Sequence, residues 1–163
     1  MLISSKTQSA LHSLSGGLLL MLIMILPAAA TPYHIQETLP MKLRIILDDK
    51  IITATLNDSL PSREFAALLP LTLKLKDYAG EEKISDLPGR LSTLGSPAGT
   101  AAKKGDITLY APWGNLAIFY KPHGYASGLI KLGELDEPDA LPVYPDAYSV
   151  RVERLTESLS PRE

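Results

Sequence analysis

Residues 106–120 constrain the fold of this chain more than any other segment. Two apolar, strand-forming runs flank the sequence Ala111-Pro112-Trp113-Gly114-Asn115, which holds the single tryptophan of the chain. Proline, glycine and asparagine set turn dihedrals, whereas β-branched and aromatic residues favour extended backbone. The segment therefore predicts a β-hairpin, and it contains no recognisable catalytic apparatus.

Residues 1–30 have the pattern of a secretory signal peptide. Lys6 precedes an uncharged apolar stretch at residues 18–26, and Ala28 and Ala30 form an Ala-x-Ala cleavage pattern. A signal-peptide core takes about 7 to 15 apolar residues, whereas a membrane-spanning helix needs about 20. We therefore expect an exported protein, periplasmic or secreted, with no stable membrane insertion after cleavage. The alternative is that the segment is retained as an N-terminal anchor.

Charge and cysteine content narrow the classes of partner. The formal net charge is −2, and lysine and arginine are scattered among the acidic residues. Binding to a nucleic-acid backbone needs a clustered basic face, so we expect no nucleic-acid partner. The chain has no cysteine, which excludes disulfides, a thiolate nucleophile and a zinc–cysteine site. Its length after cleavage suits one domain that is stabilised by packing alone.

Hydrophobic periodicity predicts one mostly β domain at residues 41–156, between a leader at residues 31–40 and a flexible tail at residues 157–163. Apolar and polar residues alternate, as in half-buried strands, at residues 42–57 (a hairpin), 71–76, 128–135 and 148–155. With the central hairpin, the count is about seven strands. That number favours a closed or nearly closed antiparallel barrel over a parallel α/β sheet.

Two other stretches depart from the strand pattern. Residues 61–69 predict a short helix, because apolar side chains recur at i, i+3 and i+4 from Phe65 onward. Residues 78–105 are rich in glycine and proline and predict a long, turn-rich connection with one helical turn at residues 84–87. The charged sequence Glu-Glu-Lys at residues 81–83 is interpreted as a solvated surface turn.

Several short motifs follow one another in the predicted domain. They are Phe65-Ala-Ala-Leu-Leu-Pro-Leu71, Asp77-Tyr78 with Gly80, Glu82-Lys83-Ile84, Leu87-Pro88, Gly105-Asp106-Ile107, the hairpin turn with its second strand, and Gly128-Leu-Ile-Lys-Leu-Gly133. In this order they resemble a family of small bacterial cyclophilin-like proteins, whose members are largely of unknown function. The resemblance implies a closed antiparallel β-barrel of about eight strands with one or two short helices, and it does not by itself imply an activity.

True cyclophilin prolyl isomerases carry a Phe-His-Arg segment, whose arginine polarises the prolyl amide, and a Gln-Gly-Gly-Asp segment in the same groove. This chain has neither segment. We therefore assign no catalytic residue and favour a protein that is not an enzyme. The alternative is a prolyl isomerase, or another enzyme, on the same barrel.

Other candidate chemistry has little support in the sequence. His123 has no second histidine in the domain and no acidic residue at ligand spacing, so we expect no metal site. Ser127 lies in Gly-x-x-Ser-Gly rather than in the Gly-x-Ser-x-Gly of a nucleophile elbow, and is interpreted as a turn residue. The glycines of residues 95–99 lack the lysine of a phosphate-binding loop. We therefore expect no cofactor.

The best candidate site is aromatic. Tyr110, Trp113, Tyr120 and Tyr125 cluster around the central hairpin, and Asn115 adds an amide at its tip. Rings beside a polar amide can line a small apolar pocket or a peptide groove. In the alternative interpretation, Trp113 closes one end of the barrel and the tyrosines pack outside. The leading hypothesis is an exported, non-catalytic protein that binds a small molecule or peptide; a structural protein of the cell envelope is a further alternative.

Overall fold

The computed structural model describes residues 40–155. The predicted signal peptide, the leader up to residue 39 and the C-terminal tail lie outside the described residues and stay predictions. Within the described range there are ten strands and one helix. They are β1 (Met41–Leu47), β2 (Lys50–Leu56), α1 (Leu60–Ala67), β3 (Leu71–Tyr78), β4 (Glu82–Asp86), β5 (Gly99–Ala102), β6 (Asp106–Tyr110), β7 (Asn115–Phe119), β8 (His123–Ser127), β9 (Leu129–Leu135) and β10 (Tyr148–Arg154).

Eight of the strands close into a barrel. Their order around the ring is β1-β10-β3-β4-β7-β6-β9-β2, and the β1–β2 hairpin joins the two ends of that series. All neighbouring strands are antiparallel. The barrel predicted from the sequence is therefore confirmed. Strands β5 and β8 form a separate two-stranded antiparallel sheet.

Apolar side chains that alternate along the strands fill the barrel. Leu43 and Ile45 of β1 are almost completely buried. Ile45 is the register partner of Ile52 on β2 and of Val152 on β10, and both partners are buried as well. A shift of one residue would turn these side chains to solvent, so strand pairing and burial specify the same register.

The helix closes the end of the barrel at which β3 begins. Ser59 caps it by accepting a hydrogen bond from the Ser62 amide, and Phe65 is buried in the barrel core. The Ser62 hydroxyl donates to the Leu132 carbonyl oxygen at 2.8 Å, which ties the helix to β9. This is the helix that the sequence predicts at residues 61–69. No helix within residues 40–155 is long and apolar enough to cross a membrane.

A polar cluster fills the opposite end, where β3 ends. Lys83 is completely buried, and its ammonium donates to Asp77 Oδ1 at 3.0 Å and to the Tyr144 carbonyl oxygen. The Tyr120 hydroxyl donates to the same Asp77 oxygen at 2.6 Å. The rings of Tyr120 and Tyr148 lie 5.8 and 5.9 Å from the ammonium. The Tyr120 hydroxyl and Lys83 together hold the pKa of Asp77 below its usual value.

The sequence interpretation of residues 78–105 is wrong in two respects. The predicted helical turn at residues 84–87 is mostly strand β4, and the residues interpreted as a solvated turn include the buried Lys83. Residues 83–85 are all buried, since one side of β4 faces the barrel interior and the other faces an outer layer. A strand covered on both sides shows no alternation in its sequence. Ser127, interpreted as a turn residue, ends strand β8, which the sequence did not predict because its side chains are mostly exposed and show no apolar alternation.

We expect Lys83→Ala to lower the free energy of unfolding by about 1 to 3 kcal/mol, because it removes a buried aliphatic stem and the hydrogen bonds of the ammonium group to Asp77 and to the Tyr144 carbonyl oxygen. Lys76→Ala, on the exposed side of the neighbouring strand, is the matched control and should change stability by less than about 0.5 kcal/mol. Urea denaturation followed by circular dichroism measures both. Equal urea midpoints for the two variants would show that the interactions of Lys83 do not contribute to stability.

Candidate ligand-binding cavity

A cavity of about 180 Å³ lies on the outside of the barrel wall. Leu116 and Ile118 of β7 point into the barrel core, so the alternate residues of this strand point outward. The outward side chains form a second apolar cluster with β5 and β8, which cover this wall. The residues lining the cavity are Tyr78, Glu82, Tyr110, Trp113, Asn115, Phe119, His123, Ala126 and Leu129.

Trp113 forms the aromatic wall of the cavity together with two tyrosines. Its ring centroid lies 5.4 Å from that of Tyr78 and 5.3 Å from that of Tyr110. Both pairs meet edge to face, at 90° and 83°, which is a favourable geometry for aromatic quadrupoles. Trp113 is nevertheless 56% exposed, so its ring stands at the mouth of the cavity.

The hairpin turn that carries Trp113 is fixed against the junction of β8 and β9. The Ala111 amide donates to the Gly128 carbonyl oxygen at 2.9 Å. Gly128 has a φ of +79°, and a Cβ atom there would lie 2.7 Å from Cδ of Pro112. Only glycine tolerates both conditions without strain. The proline of the turn therefore packs on a glycine, and this contact positions the tryptophan.

Asn115 places an unpaired acceptor in the lining. The residue is 3% exposed, and its Nδ2 donates to the Leu116 carbonyl oxygen at 3.3 Å. That bond identifies the nitrogen end of the amide, because an oxygen cannot donate to a carbonyl. The other end, Oδ1, has no hydrogen-bond partner within residues 40–155. A buried acceptor without a partner costs about 1 to 3 kcal/mol, which a ligand donor would recover.

Acidic and imidazole groups lie at the other end of the cavity. Glu82 is the register partner of Phe119, and burial raises the pKa of its carboxyl group, with Glu81 adding to the increase and His123 opposing it. His123 Nδ1 lies 2.7 Å from Oε2 of Glu81, and its ring lies 5.6 Å from that of Phe119. The cavity thus has one carboxyl group in its lining and an imidazole that is already engaged by a second carboxyl group.

The structure brings together three of the five site residues predicted from the sequence. Tyr110, Trp113 and Asn115 line the cavity. Trp113 belongs to this outer wall, so the alternative in which it closes a barrel end is wrong. Whether these residues bind a ligand stays a prediction.

Tyr120 and Tyr125 do not line the cavity. Tyr120 points to the opposite side of the wall, into the Lys83 cluster, where burial and the hydrogen bond to Asp77 raise its pKa to about 12. Tyr125 is 66% exposed, and its hydroxyl lies beside Gly99 of β5.

Sequence reasoning missed the lining residues that come from other strands. Tyr78, Glu82 and Phe119 meet only because β4 pairs with both β3 and β7. Glu82 alternates with the inward-pointing Lys83, and the correct assignment of β4 as a strand would have placed it on the cavity side. No group of metal-ligating side chains occurs within the described range of residues 40–155.

The sequence model of the cyclophilin-like family matches residues 45–153. The chain belongs to the cyclophilin-like family. Among solved structures, it is similar to the solution structure of the hypothetical protein AF2241 from Archaeoglobus fulgidus, with 19% identity and a TM-score of 0.51 over 71% of this chain and 95% of that one. At that identity the likeness shows the fold alone. No curated protein matches this cyclophilin-like chain.

We expect Glu82→Gln to raise the melting temperature, relative to the unmodified chain, more at pH 7 than at pH 4. Because burial raises the pKa of this carboxyl group above 4.5, the folded chain holds the proton more tightly than the unfolded chain does, and this contribution to stability is lost as the pH rises. The exposed residue Glu137 provides the control, Glu137→Gln. Thermal unfolding at the two pH values tests this, and a Glu82→Gln effect that does not change with pH contradicts it.

Proposed function

We propose that this cyclophilin-like chain is an exported binding protein that holds a small molecule or a peptide side chain in the outer cavity and does not catalyse prolyl isomerisation. The observation that carries the proposal is the unpaired Asn115 Oδ1 in the lining. Buried acceptors in folded proteins nearly always have a partner. A donor on a bound molecule supplies the one that the described chain lacks.

The shape of the cavity supports a small ligand. It is apolar along most of its length, with polar groups at the two ends of the outward face of β7. The four residue steps from Asn115 to Phe119, the partner of Glu82, span about 14 Å of strand. Apolar walls with a few convergent polar groups are typical of ligand sites in proteins. A volume of about 180 Å³ suits a compact organic molecule or one side chain of a peptide.

Export is supported by the sequence at residues 1–30, which has the charge, apolar core and small residues of a signal peptide. The absence of cysteine is compatible with a compartment outside the cytoplasm, where free thiols would oxidise. A bacterial periplasm or extracellular space is therefore the proposed location.

The lining does not favour a prolyl isomerase. In true cyclophilins an arginine polarises the prolyl amide, and neither arginine nor lysine lines the cavity within residues 40–155. The polar groups of the lining residues are a carboxyl group, an amide, an imidazole bound to Glu81 and the hydroxyl groups of Tyr78 and Tyr110. These groups can orient a ligand, and they lack the fixed positive charge that the isomerase route uses.

Trp113 makes ligand binding directly measurable, because it is the single tryptophan of the chain and stands in the cavity wall. We expect compounds that bind in a screen to change its fluorescence and to raise the melting temperature, since a ligand bound only by the folded state stabilises it. Asn115→Ala should weaken binding about tenfold, in proportion to a lost hydrogen bond.

The matched control for this screen is Tyr125→Phe, which changes an exposed tyrosine outside the lining. It should leave both the fluorescence response and the thermal shift unchanged. If compounds shift the melting temperature equally in the unmodified chain and in Asn115→Ala, without any change in Trp113 fluorescence, they bind elsewhere and the proposed site is wrong.

A proline-peptide isomerisation assay tests the enzymatic alternative. We expect no acceleration over the uncatalysed rate, because the lining offers no arginine to the prolyl amide. Acceleration that is lost in Trp113→Ala and kept in Lys76→Ala would assign isomerase activity to this cavity and would overturn the non-catalytic proposal.

A further inference from the structure

We infer that the ligand of this cavity is an organic ammonium ion, held between the Trp113 wall and the Glu82 carboxylate. The inference rests on the proposed function, since it names the chemical class that the same cavity accepts.

The rings of Tyr78, Tyr110, Trp113 and Phe119 line the cavity, and aromatic rings are the usual components of a cation-binding cage. Trp113 stands perpendicular to Tyr78 and to Tyr110, with ring centroids 5.4 and 5.3 Å away. Perpendicular rings can form adjacent walls of a box, and in each edge-to-face pair the ring that presents its edge keeps both of its own faces free for a ligand; Phe119 lines the same cavity. Boxes of this kind bind alkylammonium groups through cation–π attraction, and tryptophan is the strongest contributor.

The charged groups around the cavity also favour a cationic ligand. Glu82 lines it, and the positively charged side chains nearby are engaged elsewhere. Lys83 points into the barrel and binds Asp77, while Arg90 donates from the outside of the hairpin turn to the Ala111 carbonyl oxygen. His123 pairs with Glu81. The one lining carboxylate therefore has no lysine or arginine partner within the described residues, and an ammonium ligand would supply a fixed positive charge.

The hydrogen-bond acceptors of the lining also favour a ligand that carries a hydrogen-bond donor. Asn115 presents its unpaired Oδ1, and an ionised Glu82 can only accept. A carboxylate or phosphate ligand would face two acceptors, and the lining would offer it only the neutral hydroxyl groups of two tyrosines and an imidazole that pairs with Glu81. An ammonium ion between the ring wall and Glu82 satisfies both, and a longer ligand that carries a second donor can also reach Asn115 Oδ1 at the other end of the cavity.

Two matched pairs of probes test the inference on the purified protein at pH 8. Choline is compared with its neutral carbon isostere 3,3-dimethylbutan-1-ol, and butylammonium with butan-1-ol. Trp113 fluorescence and thermal shift are the readouts. We expect each cation to bind at least about tenfold more tightly than its neutral counterpart. Whichever cation binds more tightly shows whether the site takes a methylated or a hydrogen-bonding ammonium group.

The Glu82→Gln variant isolates the contribution of charge. It should weaken binding of the cations about tenfold and leave binding of the alcohols unchanged, because only the ion pair is removed. Tyr125→Phe is the control and should bind all four probes as the unmodified chain does. Unfolding curves of both variants confirm that they are folded at the assay temperature.

The outcomes separate this inference from the proposed function. If alcohols bind as tightly as cations, or Glu82→Gln leaves cation binding unchanged, the ammonium inference is overturned while the binding function stands. If none of the four probes binds but another compound changes Trp113 fluorescence, the inference is again overturned and the function stands. If no compound of any class changes the fluorescence or the melting temperature, both the ammonium inference and the proposed binding function are wrong.

Discussion

The ion pair between the buried Lys83 and the solvent-accessible Asp77 is the interaction on which the rest of this structure depends. An ammonium group withdrawn from water is unfavourable unless it is paired and hydrogen-bonded. Here it has a carboxylate, a backbone carbonyl oxygen and two aromatic rings around it. Lys83 therefore finds these partners only at one place, the end of the barrel. This restricts the register of strand β4 against its neighbours.

The fixed register of β4 determines which of its side chains lie on the outer surface of the barrel. Neighbouring residues of a strand point to opposite faces, so an inward Lys83 requires an outward Glu82. The same strand pairs with β7, which sets Phe119 beside Glu82 and Asn115 beside Asp86. An interaction inside the barrel therefore fixes the polar groups of a cavity outside it.

The sequence predicts a strand reliably only when one face of that strand is exposed to solvent and the other is buried. The β1–β2 hairpin and the β6–β7 hairpin turn were predictable from alternation and from turn residues. Strand β4 was not, since Lys83, Ile84 and Ser85 are all buried and a charged residue in a glycine-rich stretch suggests solvent. For the same reason the sequence grouped Tyr120 with Trp113 by proximity along the chain, although the two point to opposite sides of the barrel wall. Residues of the site from β3 and β4 required knowledge of the pairing.

The position of the cavity outside the barrel has a consequence for how this kind of site can change over time. Its lining shares strand β7 with the interior, whereas Trp113 and His123 come from a surface turn and from the small covering sheet. Substitutions in the turn or in β8 can therefore alter the shape and charge of the cavity while the interior packing stays as it is. Descendants of one ancestral barrel could in this way acquire different ligands without passing through unstable intermediates.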